Sequence, residues 1–178
     1  MASPDQIRTN VERSAEEVAR RPSTGQGTAT TRVTLKPGLE CAIEDGTWKL
    51  TAAMGEKWGG TNAGPNPGIL GRGAFGSCLA IGYAVWAARL GVPIDELEVV
   101  VQGDYDSRGE LGLADDVPPG YLHVRYHVKV TSAAPEADVL RVLDVADKYS
   151  PYLDVHTRAQ DVRRETTIVT AACPGRCR

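Results

Sequence analysis

Cysteine is sparse in this chain. The four residues, Cys41, Cys78, Cys173 and Cys177, fall at irregular positions in 178. That spacing excludes the paired framework of a small secreted disulfide protein. Positive charge is not in excess either. Twenty Lys and Arg stand against 23 Asp and Glu, a net charge of −3, which argues against nucleic acid or an anionic membrane as the main partner. The N-terminus lacks an apolar signal-type core, carrying Asp5, Arg8, Glu12, Glu16 and Glu17 instead, so the simplest expected location is the cytoplasm. No internal repeat is visible. With 42% hydrophobic and 24% charged residues, the composition is that of an ordinary globular domain.

The chain is organised around Asn66 to Gly91. Only Arg72 and Arg89 are charged there, Pro67 can start a helix, and Gly91 followed by Pro93 can end one. A helix apolar nearly all round is a buried helix. Its length and glycine content argue against a membrane span. Gly71, Gly73, Gly76 and Gly82 each cost about 1 kcal/mol relative to Ala in a helix. They predict that something approaches the backbone closely, and Cys78 sits in their midst.

Around it the pattern reads β-β-β-α-β-β-α-β, an α+β chain. Residues 1–27 read as an extension with a short helix from Val11, stopped by Pro22. Thr28–Leu35, Leu39–Ile43 and Thr47–Ala53 read as a three-stranded meander. A Gly/Asn/Pro loop from Gly59 leads to the central helix. Leu97–Tyr105 and Tyr121–Val130 are strands, the second with Leu122, Val124, Tyr126, Val128 and Val130 facing inward. Pro135–Lys148 is an amphipathic helix with Val139, Leu140, Leu143 and Ala146 on its apolar side. Ser150-Pro151 starts a short helix, Glu165–Ala171 is a closing strand, and 173–178 is a tail after a domain of 28–172.

Three motifs invite chemistry and are better explained otherwise. Gly71-Arg-Gly-Ala-Phe-Gly matches a dinucleotide fingerprint with Asp95 downstream, but Gly64-Pro-Asn-Pro-Gly before it is no central strand. His123 and His127 lie about 13 Å apart on a strand, too far to share a metal, and read as surface residues. Cys173-Pro-Gly-Arg-Cys177 stands alone at the chain end. No cofactor and no metal is therefore expected.

Gly64-Pro-Asn-Pro, the helix text Ala-Phe-Gly-Ser-Cys-Leu-Ala around Cys78, Val99 to Gly112, Pro119-Gly-Tyr and Ala146-Asp-Lys-Tyr-Ser-Pro-Tyr together resemble a divergent member of the OsmC/Ohr family of thiol peroxidases. The likeness runs from about Thr30 to Ala171. It implies an OsmC-like fold with antiparallel sheets wrapped around a long central helix, an intertwined homodimer, and reduction of organic hydroperoxides in the oxidative stress response. It puts Cys78 at the peroxidatic position. The family's second, resolving cysteine falls at Ser150, and its glutamate falls at Gly68 or Ile69. No arginine occupies a Gly-Gly-Arg turn, so Arg32 and Arg72 are the candidate replacement cations. With serine at the resolving position, the reading is a one-cysteine peroxidase restored by an external thiol reductant; a weaker variant, motivated only by the loss at Ser150, has Cys173 or Cys177 as a substitute resolving thiol. The alternative is a non-catalytic module binding a small hydrophobic ligand at the dimer interface.

Overall fold

In a computed structural model the residues described are 3–170. Helix α1 (Pro4–Arg20) is followed by a meander of β1 (Arg32–Lys36), β2 (Glu40–Asp45) and β3 (Trp48–Ala53). Then come α2 (Pro67–Leu90), β4 (Glu96–Tyr105), the one-turn α3 (Ser107–Glu110), β5 (Tyr121–Thr131), α4 (Glu136–Lys148) and α5 (Pro151–Thr157). The first three strands form one antiparallel sheet, and β4 with β5 a second. The α+β class read from the sequence is what the chain adopts.

The central helix starts and stops where its punctuation says. The Asn66 side chain accepts the Ile69 N–H at 2.9 Å, Pro67 takes the first position, and Gly91 closes the helix at φ 69°. A left-handed residue there costs glycine nothing. Phe75, Leu79, Tyr83, Ala87 and Ala88 are its buried residues. They meet Leu97, Val99 and Val101 of β4, Tyr126 and Val128 of β5, and Ala146 and Val142 of α4. At 24 residues, about 36 Å at ~1.5 Å each, α2 is long and apolar enough to cross a membrane. Length therefore does not argue against a span, contrary to the reading above. Its packing against β4, α4, α1 and α5 makes it the core helix of this fold.

Several local expectations are corrected. Helix α1 runs 17 residues, because Ser3 and Gln6 form a capping box ahead of Pro4, and it packs on α2. On α4 the fully buried residue is Val142, while Leu140 is exposed; the apolar stripe is 139, 142, 143, 146. On β5 the inward alternation holds from Tyr126 to Val130, whereas Leu122 and Val124 are exposed. No strand forms over Glu165–Thr170: the segment pairs with none of the described strands, and Val162, Ile168 and Val169 are exposed. Ala171 and the tail lie outside the described residues. Of the four glycines singled out above only Gly76 is closely approached, by Val101 Cγ2 at 3.2 Å from where a Cβ would stand. Gly71, Gly73 and Gly82 face open space.

The first sheet stands apart from this core. It joins the helix layer through β3, where the Ala53 N–H donates to the Pro65 carbonyl at 3.2 Å. Its apolar side chains are largely uncovered: Trp48 is 75% and Leu35 69% exposed, with Val33 and Leu50 also open.

Candidate active site around Cys78

Cys78 lies near the middle of α2 and is half-buried. The side chain that meets it comes from the corner between α4 and α5. Ser150 caps α5, with its hydroxyl oxygen accepting the Leu153 N–H at 3.3 Å and Pro151 behind it. That corner is closed by the Ser150 N–H donating to the Asp147 carbonyl at 3.2 Å. The result places Ser150 Oγ 4.0 Å from Cys78 Sγ. Ser150 is only 6% exposed, the one buried polar residue among those described. The sequence-based pairing of positions 78 and 150 is thus a contact, across 72 residues of chain.

The two candidate cations are elsewhere. Arg72, six residues before Cys78 and so about 120° round the helix, donates from Nη1 to the Tyr121 hydroxyl at 2.6 Å and lies over that ring. Arg32 is exposed on β1, opposite Glu44. Neither hydrogen-bonds to Cys78. Cys41, the other free cysteine among the described residues, is on β2 beside Leu35, Leu39, Ala52 and Met54. Cys173 and Cys177, the candidate substitute resolving thiols, lie outside the described residues. His123 and His127 are exposed, as read from the strand period. Gly71 to Gly76 lie within a helix preceded by a loop rather than a strand, which removes the dinucleotide reading.

Below the Cys78 turn, α2 meets aromatic and polar groups the motif reading passed over. Phe75 stacks on His156 of α5 at 4.3 Å between centroids and meets Tyr126 edge-on at 5.7 Å. These rings border a cleft of about 240 Å³ between β5 and α5, which Tyr121, Leu122 and Leu153 also line. Tyr83 and Tyr126 both donate to Asp147, at 2.7 and 2.8 Å. Burial, reinforced by that carboxylate, pushes both phenols up, Tyr126 to about 12. A signal for Asp147 was available. It lies four residues after Leu143 and next to Ala146, at the edge of the apolar stripe of α4, where a carboxylate needs a donor.

The family model described as OsmC-like protein matches residues 60–164. The chain belongs to the OsmC-like protein family. Solved structures agree in fold. An OsmC-like protein from Mycoplasma pneumoniae superposes with a TM-score of 0.65 at 15% identity, over 75% of this chain and 89% of that one. An organic hydroperoxide resistance protein OsmC from Legionella pneumophila gives 0.54 at 16% identity, over 75% and 93%. One from Elizabethkingia anophelis gives 0.54 at 13%, over 75% and 91%. No curated protein matches the chain. At these identities the likeness carries the OsmC-like fold, and the chemistry has to be argued from this chain's own residues.

Proposed function

We propose that this OsmC-like protein is a one-cysteine thiol peroxidase that reduces organic hydroperoxides at Cys78. The observation that carries the reading is the Cys78 Sγ to Ser150 Oγ contact of 4.0 Å in a buried corner, in a family with hydroperoxide resistance members. The Cys78 thiolate attacks the distal peroxide oxygen, the O–O bond breaks, and the alcohol leaves with a proton, leaving Cys78 as sulfenic acid. Serine cannot condense with it. An external thiol displaces hydroxide, which leaves as water, to form a mixed disulfide. A second equivalent then reduces that disulfide and restores the thiol. The cleft beside Phe75, where Leu122, Val124 and Leu153 alternate with His123, His156 and Thr157, is the candidate place for the organic group of the peroxide.

The reading includes a homodimer working in the cytoplasm. What supports the dimer is surface that one chain leaves open: Ile69, Gly73, Ser77, Ile81 and Ala84 down one side of α2, and the one face of the first sheet that carries Val33, Leu35, Trp48 and Leu50. In a wrapped pair the apolar face of each β1–β3 sheet would cover the other chain's helices, with Arg32 on the opposite, polar face beside Glu44. A ligand-binding module is the second reading, favoured by one observation: Arg72 is committed to Tyr121 rather than to Cys78.

One equivalent of cumene hydroperoxide followed by dimedone and peptide mass spectrometry separates them. Trapped sulfenic acid at Cys78, with turnover on dithiothreitol, is the expected result. Unmodified Cys78 after prolonged exposure overturns the peroxidase and leaves the binding module.

A further inference from the structure

Asp147 stands one turn before Ser150, and both of its carboxylate oxygens are occupied. The Tyr83 hydroxyl of α2 donates to Oδ1 at 2.7 Å, and the Tyr126 hydroxyl of β5 donates to Oδ2 at 2.8 Å. One carboxylate on α4 is therefore tied to the central helix and to the sheet at once. The same residue's backbone carbonyl accepts the Ser150 N–H. Tyr83 is 1% exposed, so its hydroxyl has no water to fall back on and the bond is costly to lose.

The Ser150 hydroxyl has one proton and two lone pairs. One lone pair takes the Leu153 N–H, which leaves the proton free to point away from the helix. Among the described residues the one side-chain polar atom in contact with that hydroxyl is Cys78 Sγ at 4.0 Å, a pair in which either atom can donate. Donation to sulfur favours the thiolate over the thiol.

We propose that Asp147 is a positioning residue: clamped by Tyr83 and Tyr126, it fixes the α4–α5 corner so that the Ser150 hydroxyl donates to Cys78 and raises its thiolate fraction. Ser150 thereby acts on the thiol directly, as a hydrogen-bond donor in place of a resolving sulfur. The inference deepens the peroxidase reading and rests on it for its biological use, but a thiolate fraction can be measured without any peroxide.

The sign of the effect is diagnostic. Asp147→Asn removes a negative charge within the same core, and by charge alone that would lower the thiol's titration midpoint. Loss of positioning raises it. An amide also cannot accept from two hydroxyls as a carboxylate does, because one of its two arms is a donor.

The test is the pH profile of iodoacetamide alkylation at Cys78, in the full chain carrying Cys41→Ser, Cys173→Ser and Cys177→Ser. Ser150→Ala is expected to raise the midpoint by about half to one pH unit, the scale of a single ordinary hydrogen bond. Asp147→Asn is expected to shift it the same way, and the double variant to shift it no further than Ser150→Ala alone. Tyr126→Phe, which keeps the Tyr83 bond, gives a smaller shift in a protein that stays folded by circular dichroism. A lower melting temperature with an unmoved midpoint in Tyr126→Phe and Asp147→Asn overturns the proposal, as do additive shifts in the double variant. Wild-type protein that is inert to cumene hydroperoxide, yet shows these midpoint shifts, sinks the peroxidase and upholds the positioning role.

Discussion

Phe75 and His156 lie almost parallel, 21° apart in plane and 4.3 Å between ring centroids, joining the central helix to α5. His156 is further held by Nδ1 against the Tyr152 carbonyl at 2.7 Å. This stack docks the seven-residue α5, too short to hold its shape alone, and with it the capping Ser150. His156→Ala is expected to cost about 1 kcal/mol, a fall of roughly 2–4 °C in melting temperature for a chain of this size. Thermal unfolding followed by circular dichroism reads it. An unchanged melting point would mean that α5 is held by Leu153 and the Ser150 cap alone.

A cysteine at the capping position has a sharper consequence. Oγ of Ser150 and Sγ of Cys78 are 4.0 Å apart, and a disulfide needs about 2.05 Å between sulfurs. A rotamer change in the half-buried Cys78 is the movement available to close that gap. Ser150→Cys is therefore expected to form an intramolecular 78–150 disulfide within one turnover of cumene hydroperoxide, visible by non-reducing peptide mapping. Persistent sulfenic acid at Cys78 in this variant would show that the corner is too rigid to bring the sulfurs together.

Much of this arrangement was legible in the sequence, because the signals were local. Asn66-Pro67 and Gly91 bound the central helix chemically, and Ser150-Pro151 marked the start of α5. Turns at Gly38 and Gly46, both at positive φ, separated the three strands of the meander. What was not legible depends on neighbours. The tyrosines that occupy Asp147 come from α2 and β5, 64 and 21 residues away. The segment at Glu165 satisfies β propensity yet pairs with no described strand, since propensity is a weak preference that context overrides. Arg72 carried the right charge on the right helix, and the 120° of helical rotation from Cys78 gave it to Tyr121 instead.

Alkaline pH should expose the tyrosine clamp. A phenol ordinarily titrates near 10, and Tyr126 is raised to about 12 by burial and by Asp147, with Tyr83 raised for the same reasons. Above pH 10 the unfolded chain releases these protons while the folded chain retains them, so stability falls as pH rises. The contribution is complete below about pH 10 and is lost through about pH 12. Urea midpoints measured from pH 9 to 11.5 should therefore decline in the wild type and decline less in Tyr126→Phe. Parallel slopes would place the alkaline loss on other groups.

The last prediction concerns the open side of α2. Ile81 is 65% exposed on a helix whose other faces build the core, and Ser77 and Gly73 continue its stripe one and two turns back. Small residues in such a row permit a second helix to approach closely, and a carboxylate in the middle of that approach would be buried without a partner, at a cost of several kcal/mol. In one chain the side chain is solvated, so Ile81→Asp leaves the monomer's own packing untouched. Light scattering after size exclusion should give the wild type twice the 19.0 kDa chain mass, and Ile81→Asp the single mass with unchanged far-ultraviolet circular dichroism. A wild type at the single mass would remove the dimer from the proposed function. A variant that stays dimeric would move the interface to the uncovered first sheet, where Leu35→Asp becomes the corresponding probe.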